Sequence, residues 1–178
     1  IFVFIIIGLC QGMQPIVGYN YGSGRYRRLV RTFTLAAIVG VVVSTLGSVT
    51  GALAPRAIAS MFMQDEAQIE CAVNCLRITT LTFWMVGFQI VTTNLFQALG
   101  MAAKSIFLSL TRQIIFMIPL LFTLPHFWGL NGVWASYPIA DLLSVVVAAV
   151  MLAMLMKKIR KQSRLEPKMT PAEVERQL

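Results

Sequence analysis

QGMQPIVGYNYGSGRYRRLVR, residues 11–31, begins inside an apolar run, passes Pro15, Gly18, Gly22 and Gly24, and ends with Arg25, Arg27, Arg28 and Arg31 before another apolar run starts. This pattern is how a helix leaves a bilayer and the next one enters. Arginine clusters beside a spanning helix favour the cytoplasmic face, where the insertion machinery and anionic lipids hold positive charge. The stretch therefore sets the fold class, an all-α integral membrane protein, and its orientation.

Composition supports the same class. Of 178 residues, 57% are hydrophobic and 12% charged, about half the charge fraction of an ordinary soluble domain. The apolar runs are each near the roughly 20 residues needed to cross a hydrocarbon core. A formal charge of +8 would fit a nucleic-acid partner, but the basic residues flank apolar segments and no polar aromatic platform accompanies them. Ile1 already lies in an apolar run without a basic flank, so the start reads as a fragment cut inside a helix and not as a signal peptide.

The expected organisation is a truncated spanning helix over 1–19, a basic cytoplasmic loop over 20–32 and a helix over 33–55. An outer loop with an interfacial stretch over 56–68 follows, then a helix over 69–99, a cytoplasmic turn over 100–104 and a helix over 105–124. An outer turn over 125–132, a helix over 133–156 and a basic cytoplasmic tail over 157–178 complete the chain. Basic residues at 25–31, at Lys104 and in the tail then fall on one side, with Asp65, Glu66 and Glu70 on the other, as the positive-inside rule asks. Asp65 and Gln68 fit a capping box. In the tail, Thr170, Pro171 and Glu173 fit the N-cap, first and third positions of a short helix.

Polar residues inside the spans are the candidate site. Gln11 and Gln14 share a face beside Pro15, whose missing N–H is expected to kink the helix; Pro119 is a second expected kink. At about 100° per residue, Thr79, Thr82, Gln89, Thr93 and Gln97 fall on one side of the 69–99 segment. Such a stripe serves either interhelical hydrogen bonding or a solvated pathway. Transport-pathway candidates are Gln11, Gln14, Tyr19, Thr82, Gln89, Thr93, Gln97 and Tyr137.

Asp141 is the carboxylate within the apolar spans, and an ionisable group there is by default a functional hypothesis. Counting along antiparallel helices brings Arg112 to a similar depth. The pair serves as a buried ion pair or as a coupling site in which Asp141 exchanges a proton or cation. His126, beside Trp128, reads as interfacial, and Cys71 and Cys75 as ordinary thiols. No catalytic constellation, metal-ligand spacing or phosphate loop is legible, so an enzyme reading has little support.

The runs QPIVGYNYG at 14–22, FQALG at 96–100, LTRQ at 110–113 and GVWASYPIAD at 132–141 together resemble the C-terminal half of multidrug and toxic compound extrusion transporters, the MATE family. The resemblance implies a twelve-helix protein of two six-helix lobes, of which this fragment supplies about five helices, like the eighth to the twelfth. It implies secondary active efflux of cationic or amphipathic drugs against H+ or Na+ by alternating access, in a bacterial inner membrane, with no cofactor and no nucleic acid. The partners implied are the bilayer, the small-molecule cargo and the missing N-terminal lobe. Some relatives carry acidic cation-site residues in the tenth helix; here 69–99 has none after Glu70. A flippase for lipid-linked or polymeric substrates, or a membrane anchor without transport, are the competing classes.

Overall fold

The computed structural model describes residues 1–163 and is helical throughout, with no strand among the described residues. Two long apolar helices open the chain, α1 (Phe2–Gly22) and α2 (Tyr26–Leu53). A short α3 (Pro55–Ser60) leads to α4 (Glu66–Thr79) and α5 (Phe83–Ala98). Next come α6 (Ala102–Leu110), a π-helical segment (Thr111–Met117) and α7 (Ile118–Ser163).

Three of these stretches are long and apolar enough to cross a membrane, and α4 with α5 makes a fourth if the bent pair is one span. The third stretch, Ala102–Gln162, has 61 residues, which as a straight rod would measure roughly 90 Å, three bilayer cores. It is instead a hairpin. Gly129 has φ 56° and ψ −136°, outside helical geometry and in a region that favours glycine. Gly132 then packs so tightly on the Leu124 carbonyl that a methyl group there would overlap it. The two arms lie side by side, so the described residues run in five helical stretches.

Several expected boundaries need correction. The basic loop expected over 20–32 shrinks to Ser23–Arg25, because Tyr26 to Arg31 already form the first turns of α2. The outer loop expected over 56–68 contains α3. The turn expected over 125–132 is a single-residue break at Gly129 with helix on both sides. The short tail helix expected from Thr170, Pro171 and Glu173 lies outside the described residues.

The largest correction concerns 69–99, which is not one helix. It breaks at Thr80–Thr82, and α4 and α5 meet at a 56° bend. Neither proline nor glycine stands in the break. Threonine hydroxyls turn back onto their own helix, Thr79 Oγ1 donating to the Cys75 carbonyl at 2.8 Å and Thr80 Oγ1 to the Leu76 carbonyl at 2.6 Å. Such back-bonding weakens and bends helices. Hydroxyls of α2 reach carbonyls on either side of the break, Ser48 Oγ donating to Thr80 (2.5 Å), which also accepts from the Phe83 amide at 3.3 Å, and Ser44 Oγ to Trp84 (2.8 Å). At membrane depth these bonds help the break to be tolerated.

Packing follows residue size. Gly40, Ser44, Gly47 and Gly51 are buried on one face of α2, and small residues at such spacing let helix backbones approach. The tightest point is Gly87 on α5, where a Cβ would collide with the Gly40 backbone. Beside this seam, Ile6, Cys10, Met13 and Val17 of α1 join Leu29, Phe33, Val91, Leu95 and Phe96 in the core. Asp65 caps α4 by accepting from the Ala67 amide at 3.3 Å, and Glu66 pairs with Arg56 of α3.

Candidate functional site

The break between α4 and α5, the π-helical segment and α7 converge on one place. Arg112 occupies the second position of the π segment. Seven positions on, Pro119 lacks the N–H that would bond Ile115 and its ring crowds that carbonyl, a setting that favours the wider i→i+5 turn. Across the hairpin, Arg112 Nε donates to Asp141 Oδ1 at 2.7 Å. The Asp141 side chain is 9% exposed and that of Arg112 33%. The structure thus brings together the two residues that counting along the sequence placed at similar depth. Pro138 lies one turn before Asp141 in α7.

Thr82, at the α5 end of the break, stands beside the Asp141 carboxylate. Its hydroxyl is buried there. One turn further along α7, Ser144 Oγ donates to Gln89 Oε1 of α5 at 2.6 Å and also contacts the Asp141 carbonyl at 3.0 Å. Thr82, Gln89, Asp141, Arg112 and Ser144 thus form one polar seam between α5 and the hairpin.

A cavity of about 500 Å³ opens on this seam. Phe2, Phe83 and Tyr137 give it aromatic walls, Gly51 and Thr79 lie along it, and Arg112 and Asp141 are its charged groups. An apolar chamber with few convergent polar groups is the usual form of a small-molecule site. Among the described residues no group of His, Cys, Asp and Glu could hold a metal ion.

The other expected pathway residues are scattered. Gln14 is half-buried on α1, which stays one helix through Pro15, and its Nε2 donates to Asn94 Oδ1 at 2.7 Å. Gln11 and Gln97 are exposed, Tyr19 is 67% exposed, and Thr93 is half-buried. None of these four, nor Gln14, Thr82 or Gln89, lines the cavity; Tyr137 does. The polar stripe is not continuous, because the bend takes Thr79, the last residue of α4, off the wheel that carries Gln89. Along α5 the buried face runs through Val86, Gln89, Thr92 and Phe96. Asn94 was missed because its partner lies on another pass; its amide type inside an apolar run was the available signal.

Comparison with known proteins places these features. The MatE family model matches residues 1–123. The chain is 27% identical over 157 residues to the multidrug export protein MepA of Staphylococcus aureus (strain bovine RF122 / ET3-1), covering 87% of this chain and 34% of that protein. It is 24% identical to MepA of Staphylococcus saprophyticus over 162 residues. Among solved structures, the MATE multidrug transporter DinF-BH superposes with a TM-score of 0.79 at 42% identity, over 84% of this chain and 33% of that one. An inward-facing MATE family transporter of the MOP superfamily gives 0.83 at 19% identity, over 90% and 38%, which speaks for the fold alone. The chain therefore spans about a third of the length of the relatives it matches.

Proposed function

The chain belongs to the MatE family, and on that premise we propose that it is the C-terminal part of a secondary active multidrug efflux transporter. In this reading the described helices form most of one lobe, and an N-terminal lobe completes the cargo chamber. Cationic or amphipathic drugs leave against H+ or Na+ as one lobe rocks against the other. The membrane is the bacterial inner membrane, with the Ser23–Arg25 turn and the C-terminus on the cytoplasmic side. It is a transporter and not an enzyme, with an ion gradient in place of a cofactor.

The observation that carries the reading is the Arg112–Asp141 pair on the wall of a largely apolar cavity. Ionisable groups are expensive inside a bilayer and mark cargo or ion paths more often than they stabilise a fold. Asp141 is the coupling candidate, with Arg112 as its charge partner. Gln11, Gln14, Tyr19, Thr82, Gln89, Thr93, Gln97 and Tyr137 are the pathway residues of this reading, Gln89 buried beside the pair and the exposed Gln11, Tyr19, Gln97 and Tyr137 taken to face the other lobe.

The test is accumulation of a panel of cationic drugs in cells expressing the full-length protein, with the proton or sodium gradient intact or collapsed. Gradient-dependent lowering of accumulation supports efflux. Unchanged accumulation across the panel refutes it and leaves the flippase and anchor classes.

A further inference from the structure

The cavity at the α4–α5 break holds more space than the ion pair needs. About 500 Å³ matches a drug-sized organic molecule. The carboxylate of Asp141 is the fixed wall, since it is almost fully buried, while the Arg112 guanidinium is a third exposed. Their hydrogen bond uses Nε and one oxygen and not the two-nitrogen fork that makes arginine–carboxylate pairs strongest.

The backbone under Arg112 is also unusual. Its π-helical turn (Thr111–Met117) belongs to a rare class that is frequent at functional sites. Return to α-helical bonding would rotate Arg112, relative to the helix beyond the segment, by roughly 100°, one residue's share of a turn. That rotation takes the guanidinium off Asp141 and leaves the carboxylate facing Phe2, Phe83 and Tyr137.

We infer that this cavity binds an organic monocation with an apolar, aromatic body, that Asp141 is its counter-ion, and that Arg112 is a tethered competitor that leaves Asp141 for the ligand to seat. The cargo class rests on the export reading above; the site and the role of Arg112 do not. While the pair is closed, an incoming cation meets a wall of zero net charge with a like charge at its front. With Arg112 turned away, the cation gains the carboxylate and the faces of the aromatic rings. Removal of Arg112 therefore tightens cation binding, the opposite of what loss of a structural ion pair would do.

The experiment is equilibrium binding of ethidium, a rigid aromatic monocation, and of a neutral aromatic of similar size, to the purified full-length protein by fluorescence anisotropy. Arg112→Gln is expected to tighten ethidium binding about tenfold, the scale of one like charge removed at close range, and to leave the neutral probe unchanged. Asp141→Asn is expected to weaken ethidium by a similar factor. Should Arg112→Gln fail to fold, the double variant Arg112→Gln/Asp141→Asn leaves no unpaired charge and is expected to bind ethidium as weakly as Asp141→Asn. An Arg112→Gln protein that binds ethidium no tighter than wild type, or a double variant with wild-type affinity, overturns the inference. A protein that shows these shifts but lowers no drug accumulation refutes the export reading and keeps the site; export without the shifts does the reverse.

Discussion

Ser48 donates its hydroxyl to the Thr80 carbonyl at 2.5 Å, so α2 adds a short bond to a backbone group at the broken third pass that also accepts from the Phe83 amide at 3.3 Å. Loss of that hydroxyl leaves the carbonyl with the longer Phe83 bond at membrane depth, a cost of about 1 kcal/mol. Ser48→Ala is expected to lower the melting temperature of the purified full-length protein. Thr45→Val is the control, because Thr45 bonds only within α2 on an exposed face (2.7 Å to the Val41 carbonyl); it is expected to change little.

The Gly87–Gly40 contact leaves no room for a side chain. Because the obstacle is backbone, relief requires the helices to separate along the whole seam. Gly87→Val is expected to destabilise by about 3 kcal/mol or more and to abolish the monodisperse peak in size-exclusion chromatography. Gly12→Val, on an open face of α1, is expected to leave that peak intact.

Arg112 and Asp141 are close enough for their substitutions to be non-additive. Each single change, Arg112→Gln or Asp141→Asn, is expected to cost about 1–3 kcal/mol, below the figure for a fully buried pair because Arg112 is partly exposed. The double variant should recover most of that loss. Thermal unfolding of the four proteins measures the coupling, and strict additivity would show that the contact carries no energy.

The passes of the chain were legible because bilayer thickness is a coarse, one-dimensional signal. The Arg112–Asp141 contact was legible for the same reason, since depth is counted residue by residue from the two ends of a hairpin. Thr80–Thr82 was not, because the break has no proline or glycine and depends on Ser48 and Gly51 of another pass. The wheel that grouped Thr79 with Gln97 assumed a straight rod, and a 56° bend ends that assumption. Pro119 marked a disturbance, but its outcome, a π turn carrying Arg112 toward Asp141, depends on packing against α7.

Orientation is open to direct labelling. Cys71 is exposed on α4, on the far side from the Ser23–Arg25 turn. In intact cells a membrane-impermeant maleimide is expected to label Cys71 from outside, and a cysteine placed by Ser23→Cys on a cysteine-free background only after the membrane is opened. Labelling of position 23 from outside would invert the topology.

The central claim is gradient-driven export, and uptake of a cationic dye into proteoliposomes holding the full-length protein measures it most directly. Dye movement that appears on imposing a proton or sodium gradient, stops when an ionophore collapses it and is lost in Asp141→Asn is the predicted result. No dye movement under either gradient, from protein that is folded and inserted, would contradict the account.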